Sequence, residues 1–181
     1  MNGDKLHPME RCDECGFDYD GLTGREAAGV FNAHAAAISE LLQSNDDVHV
    51  RVRPRPSVWS AIEYTCHVRD VLLMQRERVF LVLVEDTPQF APMYRDQRVE
   101  NARYDQEEIP DLIRELGVAA ELMVKLGEML SDDQLARQCI YGFPEPTERD
   151  LDWVFRHTAH ELIHHEMDIH RSVSKSIRAI P

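Results

Sequence analysis

Apolar residues recur at helical spacing in four stretches of the chain, which predicts four helices. The first begins at Thr23, where the sequence Thr-Gly-Arg-Glu forms a capping box, and ends near Asn45. The second begins at Ser60 with another capping box and continues to Val84 as an apolar-rich run. We expect this second helix to be buried on much of its surface.

The other two predicted helices lie in the second half of the chain. One starts near Pro110, because proline is tolerated at a first helical position, and runs to about Leu130. The other is announced by Thr147, with Asp150 three residues later, and its apolar positions extend to about Val173. Four helices joined by loops, with no convincing strands, predict an all-α four-helix bundle.

The segments between these helices are predicted to be irregular. Residues 1–21 carry two cysteines and several acids without helical periodicity, so we interpret them as an irregular N-terminal segment packed on a bundle domain of residues 22–181. Residues 48–56 alternate Val with Arg and His before two prolines, which favours an extended connector. Residues 86–105 form a long predicted loop of the kind that often lines a site, and residues 142–146 form another loop.

Composition narrows the function classes. With 181 residues, 43% of them hydrophobic, the chain can build one domain with a real core. A formal net charge of −13 argues against a nucleic-acid partner, since phosphate binding draws on clustered Lys and Arg. The sequence has neither a long apolar run nor the apolar core of a signal peptide, so we expect a cytoplasmic protein without a membrane partner.

Five of the nine histidines lie on the predicted fourth helix, and this density calls for a reason. Residues four apart on a helix share a face, so two ligands at that spacing can bind one metal ion. The helix offers two such pairs, His160 with His164 and Glu161 with His165. His157 is expected at the surface.

The helical wheel favours one of these pairs. At about 100° per residue, a narrow apolar arc is shared by Phe155, Leu162, Ile169 and Val173. Glu161 and His165 flank that arc, whereas His160 and His164 fall roughly opposite it, on the face expected to meet solvent. A metal site in a bundle must point inward, so the geometry favours Glu161 and His165 while both pairs remain open.

A third ligand should come from a facing helix, and His67 is the candidate because it lies in the buried second helix, about two turns after the capping box. The alternative is a core histidine satisfied by one hydrogen bond. Three protein ligands would leave a position open for water or substrate, as in a catalytic zinc or nickel site. Asp70 is predicted either to orient the His67 ring or to form a salt bridge with Arg69 or Arg78.

Cys12 and Cys15 resemble half of a zinc knuckle, but no second Cys or His pair lies nearby in the sequence to complete four ligands. We interpret their segment as structural or as a cap over the site. A separate structural zinc and a redox disulfide are the alternatives. Tyr94, Arg95 and Tyr141 lie in predicted loops that could cover the mouth of the site.

Two segments resemble the motifs of the DinB/YfiT-like metalloenzyme superfamily. Residues 59–70 look like its first motif, in which a second-helix histidine binds metal, and residues 160–168 look like its second. The family places an acid or amide three residues after the last ligand. Asp168 follows His165 by three, so the resemblance selects Glu161 and His165, a pair similar to that of mycothiol-dependent members.

Members that use only histidines as ligands have a His-x-x-x-His pair instead. That pattern would match His160 and His164, and would leave Met167 where the polar residue is expected. This second register remains open.

The resemblance implies a metal-dependent transferase or hydrolase-like enzyme that holds a divalent ion, zinc or nickel. Its cosubstrate would be a low-molecular-weight thiol of the mycothiol or bacillithiol type, because a coordinating thiol loses its proton at neutral pH. Its substrate would be a small electrophilic molecule. The resemblance also suggests a homodimer. The alternative function is a non-catalytic metal- or small-ligand-binding protein of a stress response.

Overall fold

The computed structural model describes residues 11–142 and 145–179. Seven α-helices and two strands occur in these ranges. In chain order they are α1 (Gly24–Gln43), α2 (Asp47–Arg51), α3 (Ala61–Val84), α4 (Arg95–Asn101), α5 (Ile109–Met129), α6 (Asp132–Leu135), β1 (Gln138–Tyr141), β2 (Thr147–Asp150) and α7 (Leu151–Ala179). A single 3₁₀ turn, Tyr104–Gln106, precedes α5.

Four long helices form the predicted bundle, which is therefore confirmed. Helix α1 packs against α5 and α7, and α3 packs against the same two helices, so α1 and α3 lie on opposite corners. The buried residues of α5 alternate in steps of four and three, as in packed helix bundles: Leu112, Leu116, Ala119, Met123 and Leu126. The apolar arc of α7 is buried as the wheel predicted.

The two helix starts that were predicted from capping boxes are also confirmed. Thr23 and Ser60 each accept a hydrogen bond from the backbone of the residue three positions later, whose carboxylate bonds back to the cap. In α3 that carboxylate belongs to Glu63, which is buried and receives a bidentate bond from Arg53. This pair fixes the entry of α3 into the bundle.

The prediction that the chain has no strands is wrong. Strands β1 and β2 pair antiparallel, with Gln138 opposite Asp150 and Tyr141 opposite Thr147. Thr147 therefore begins a strand, and α7 begins after it, where the Asp150 carboxylate accepts a bond of 2.7 Å from the backbone N–H of Trp153. Strands of four residues are too short for a period of two to stand out in the sequence. Residues 143–144 of the intervening loop lie outside the described residues.

Two predicted irregular segments contain helices. Within residues 48–56, α2 buries Val50 and leaves Val48 exposed, so one helical turn produces the apolar and polar alternation that suggested an extended chain. An ion pair of 2.8 Å between Arg51 and Asp47 spans that turn. Within residues 86–105, α4 packs beside α3.

The described part of the N-terminal segment, residues 11–22, packs against α7. Its side chains Cys12, Phe17 and Tyr19 are buried and belong to the main hydrophobic core. The first ten residues lie outside the described part, and the domain boundary at residue 22 stays a prediction. None of the helices in the described ranges combines the length and the apolar character that crossing a membrane needs.

The close approach of α5 to α1 depends on Gly127. A Cβ at this position would lie 2.5 Å from the Cβ of Ala28 and 3.1 Å from the ring of Phe155. We expect Gly127→Ala to lower the free energy of unfolding by about 1–3 kcal/mol, since the overpacked helices must move apart. Urea unfolding followed by circular dichroism measures this change.

Gly117 provides the matched control because it lies in the same helix with nothing within 4 Å of an added Cβ. Gly117→Ala should raise the free energy of unfolding by up to about 1 kcal/mol through helix propensity alone. Equal effects of the two changes would contradict the packing that we describe.

Candidate metal centre

Three predicted ligands meet between α3 and α7. The Nε2 atom of His67 lies 3.7 Å from Oε2 of Glu161, and Nε2 of His165 lies 3.5 Å from the same oxygen. One ligand atom from each residue lies within 4.8 Å of the others. Both histidines are buried, and Glu161 is partly exposed. The arrangement offers two imidazoles and one carboxylate to a single ion.

Local structure explains why these side chains point inward. His165 lies two heptads after the buried Leu151 on α7, so it continues the stripe of that helix which faces the bundle. Glu161 is one turn earlier on the same helix. His67 is held in α3 close to its capped start at Ser60, and its ring lies edge-on to Trp59 with centroids 5.2 Å apart.

The charges of this cluster are strongly coupled. Burial would raise the pKa of Glu161, but hydrogen bonds to His165 and His67 lower it well below its usual value. Burial would lower the pKa of His165, yet hydrogen bonds to Asp168 and Glu161 raise it to about 9. Burial lowers the pKa of His67. The metal-free cluster therefore pairs ionised Glu161 with protonated His165 and neutral His67.

His165 and His67 differ in the hydrogen-bond partner of Nδ1. Nδ1 of His165 lies 3.1 Å from Oδ2 of Asp168, the carboxylate contact that usually orients a metal-binding histidine. Nδ1 of His67 is buried and has no hydrogen-bond partner among the residues that the structure describes. Asp70 does not orient His67. It forms a salt bridge with Arg69, which was the second of the two predicted roles, and it accepts a hydrogen bond from Tyr104.

A pocket of about 310 Å³ opens beside the cluster. Its lining comes from α3, from residues 91–97, from the end of β1 and from α7, and includes His67 and Glu161. Tyr94, Arg95 and Tyr141 line it, although Arg95 begins α4 and Tyr141 ends β1, so these two do not lie in loops as predicted. The long segment 86–105 is anchored over the site because the backbone of residues 88–90 bonds to Ile140 of β1.

Arg78 gives the pocket a positive charge. Its guanidinium bonds to the hydroxyl of Tyr141 and to the backbone oxygen of Ala91, and Gln75 also donates to that hydroxyl over 2.9 Å. Burial lowers the pKa of Arg78, which still remains a cation. No carboxylate in the described ranges pairs with it, so this charge is free to bind an anionic group of a ligand.

His157 was expected at the surface, and this expectation is wrong. Its ring lines the pocket and stacks on Trp153 with centroids 4.7 Å apart. Its Nδ1 lies 2.9 Å from the hydroxyl of Tyr19, and its Nε2 lies 3.6 Å from Oε1 of Glu161. The density of histidines was the only sequence signal for this residue, because helical periodicity places it outside the apolar arc.

The wheel predicted that His160 and His164 meet solvent, but His160 is buried and His164 is only partly exposed. They face residues 11–22, where Tyr19 bonds to Nδ1 of His160 over 2.9 Å and Sγ of Cys12 lies 3.6 Å from Nδ1 of His164. A histidine pair therefore does lie near the cysteines, although it is distant in the sequence. Helical periodicity cannot reveal this because the covering segment is about 150 residues away along the chain.

The fold and the cluster define a helical bundle protein with a candidate metal centre between two of its four long helices. Comparison with known families then gives a more specific class. A family model described as the DinB superfamily matches residues 30–167, well over half of the chain. The chain belongs to the DinB superfamily. Among proteins of curated function, none has a significantly similar sequence.

Two solved structures share the fold at low sequence identity. YfiT from Bacillus subtilis, described as a probable metal-dependent hydrolase with an unusual four-helix bundle topology, has a TM-score of 0.70 at 16% identity over 94% of this chain and 92% of its own. The mycothiol-dependent maleylpyruvate isomerase has a TM-score of 0.67 at 13% identity over 83% of this chain and 62% of its own. At these identities the likeness establishes the fold alone.

The raised pKa of His165 predicts how stability depends on pH without metal. A proton bound more tightly in the folded chain stabilises it fully below the unfolded pKa of about 6.5, and this contribution is lost as the pH rises through about 9. Metal-free wild type should therefore lose on the order of 1–3 kcal/mol between pH 6.5 and 9. Urea unfolding at several pH values in the presence of a chelator measures the loss.

His165→Gln keeps the size of the side chain but removes the titrating group. The variant should lack this part of the pH dependence. Parallel curves for the variant and the wild type would show that the cluster does not hold its proton as described.

Proposed function

We propose that His67, Glu161 and His165 bind one divalent ion, zinc or nickel, and that the protein is a metal-dependent enzyme which joins a low-molecular-weight thiol to a small electrophile. The observation that carries this proposal is the convergence of three ligand atoms beside an open pocket whose lining includes His67 and Glu161. Two imidazoles and one carboxylate, with a position left for a ligand, are typical of catalytic zinc sites.

The residues fit such an ion in distance and charge. Ligand atoms at about 2.0 Å from a tetrahedral zinc lie about 3.3 Å apart, close to the 3.5 and 3.7 Å that separate Glu161 from the two histidines. Glu161 is already ionised, and only His165 has a proton to release. The ion thus takes over the charge that this proton contributes.

Thiol chemistry is supported by the relatives. The isomerase that shares this fold is described as mycothiol-dependent, and YfiT is described as probably metal-dependent. When bound, a divalent ion with an open position lowers the pKa of a coordinating thiol and polarises a substrate oxygen. We place the activity in the cytoplasm, where low-molecular-weight thiols stay reduced.

The pocket itself limits the substrate. A volume of about 310 Å³ is at the small end for ligand sites, so it accepts the electrophile and the sulfur end of the thiol rather than a whole thiol cofactor. Val71, Met74 and Pro92 provide apolar contacts. Arg78 binds a carboxylate on the electrophile, and Tyr141, held by Arg78 and Gln75, orients it.

The net reaction is an addition. The S–H bond of the thiol breaks, its sulfur bonds to the electrophilic carbon, and the proton ends on the neighbouring carbon. The residues of the chain bind both reactants in one pocket with apolar contacts, where Arg78 fixes the electrophile.

One observation favours the alternative, a metal- or ligand-binding protein without turnover. Apart from Asp96 at the exposed mouth, Glu161 is the only carboxylate that lines the pocket in the described ranges, and the proposal uses it as a ligand. The described part of the lining therefore offers no second buried carboxylate for proton transfer. The two functions differ in whether thiol is consumed.

Metal content tests the ligands. Untagged wild type purified without chelator is compared with His67→Ala and His165→Ala by inductively coupled plasma mass spectrometry. Each variant should contain one metal equivalent per chain less than wild type, because removing one of three ligands weakens binding strongly. His170→Ala is the matched control, since His170 is exposed on α7. Unchanged metal content in both ligand variants would overturn the proposed centre.

Turnover tests the reaction. Metal-loaded wild type should consume mycothiol or bacillithiol in the presence of a small α,β-unsaturated carboxylic acid, and His67→Ala should not. Arg78→Gln should raise KM for the acid about tenfold or more, because a buried charge-assisted hydrogen bond is lost. Arg76→Gln is the control, since this arginine stacks on Phe80 and does not line the pocket. Bound metal without any thiol consumption would instead support the non-catalytic alternative.

A further inference from the structure

A second group of metal-binding side chains lies on the other side of α7. One donor atom each from Cys12, Cys15, His160 and His164 lies within 4.8 Å of the other three. Both cysteines are free thiols, and Cys12 is buried. This group shares no residue with the cluster of His67, Glu161 and His165.

The loop that carries Cys12 and Cys15 forms a tight turn, and this turn brings the two sulfur atoms close together. Gly16 has a φ of +75°, which favours glycine, and its N–H bonds to the carbonyl oxygen of Cys12 over 2.8 Å. The N–H of Cys12 bonds in turn to the carbonyl oxygen of Phe17. The chain therefore turns back directly after Cys15.

His160 presents an atom that needs a partner. It is more than nine-tenths buried, and its Nε2 makes no hydrogen bond within the described part of the chain. Its Nδ1 is already engaged by the hydroxyl of Tyr19 at 2.9 Å. A buried nitrogen without a partner costs free energy, and a metal ion would satisfy it. Tyr19 then holds the ring as the outer contact of a metal-binding histidine usually does.

His164 is arranged in the complementary way. Its Nδ1 lies 3.6 Å from Sγ of Cys12, and its Nε2 lies 3.5 Å from Oδ2 of Asp168. In a tetrahedral zinc site, with bonds of about 2.3 Å to sulfur and about 2.0 Å to nitrogen, these two atoms would lie about 3.5 Å apart. The observed separation therefore matches two ligands of one ion.

We infer that Cys12, Cys15, His160 and His164 form a second, structural zinc site that fastens the N-terminal segment to α7. Two thiolates and two imidazoles complete a closed tetrahedral shell, the arrangement of structural zinc. Two thiolate charges balance the zinc charge, so the site suits its buried position. The ion would close a loop of about 150 residues, which is where a metal clip stabilises most.

A rival grouping uses some of the same atoms. His157, His160 and Glu161 also lie close enough to share an ion. That grouping leaves the two thiols unused, and its Glu161 belongs to the first cluster. It predicts metal loss with His157→Ala, whereas the zinc site predicts metal loss with the cysteines.

Cobalt substitution distinguishes the two centres directly. Untagged, metal-free protein is loaded with Co²⁺, and the absorption spectrum is recorded. Thiolate ligands give a charge-transfer absorption that a site of histidine and carboxylate lacks. Wild type and His67→Ala should show this absorption, and the double variant Cys12→Ser with Cys15→Ser should not. Cys139→Ser is the control for loss of a buried thiol elsewhere and should keep it.

Zinc content measures the number of occupied metal sites per chain. Wild type should hold two equivalents, while His67→Ala and the double cysteine variant should hold one each. The double variant should also unfold at a lower temperature than wild type, because the N-terminal segment is no longer fastened.

These experiments distinguish failure of the zinc site from failure of the first metal centre. A zinc equivalent that persists in His67→Ala with thiolate absorption supports this site even if the first centre fails. Absence of thiolate absorption in both wild type and His67→Ala overturns it, whether the cysteines form a disulfide or stay free. Loss of a metal equivalent in His157→Ala but not in the cysteine variant would also overturn it. The spectra of wild type and His67→Ala decide the matter even if the cysteine variant does not fold.

Discussion

Helix α7 is buried on two sides, and the chemistry of the molecule depends on that. One side packs into the bundle against α1 and α3, and the other is covered by residues 11–22. Polar side chains on both faces are therefore removed from water, and each must find a partner. Histidine suits this position because it is apolar over most of its ring and offers two nitrogens. The concentration of histidines on one helix follows from these two buried faces.

Sequence patterns predicted the periodic features of the structure, and they missed contacts between segments that are far apart in the chain. Helical spacing of apolar residues identified the four long helices, and capping boxes marked the starts of two of them. The same spacing placed Glu161 and His165 beside the buried arc. It also assigned His160 to solvent, because a helical wheel represents one interface and this helix has two. The hairpin of β1 and β2 was not predicted for a related reason. Strands of four residues are specified by their pairing rather than by the alternation of apolar and polar residues within each strand.

Asp168 connects the two faces of α7. Its Oδ2 atom lies 3.1 Å from Nδ1 of His165 and 3.5 Å from Nε2 of His164, so one carboxylate oxygen contacts a histidine of each cluster. A negative charge at this point favours N–H on both nitrogens, which leaves Nε2 of His165 and Nδ1 of His164 as the atoms free to bind metal. These are the atoms that face the two clusters. The identity of the residue three positions after His165 thus matters to both proposed sites.

Tyr19 forms the second connection, because a zinc ion on His160 would leave its hydroxyl hydrogen only one consistent position. The hydroxyl contacts Nδ1 of both His160 and His157, and it can donate to only one of them. With zinc on Nε2 of His160, the proton of that ring lies on Nδ1 and is donated to the hydroxyl oxygen. The hydroxyl must then donate to Nδ1 of His157, which places the proton of His157 on Nε2, facing Glu161 at 3.6 Å. The structural site would thereby fix the tautomer of a pocket residue and keep an N–H directed at a ligand of the first centre. The zinc site would in this way couple the N-terminal segment to the charge distribution of the pocket.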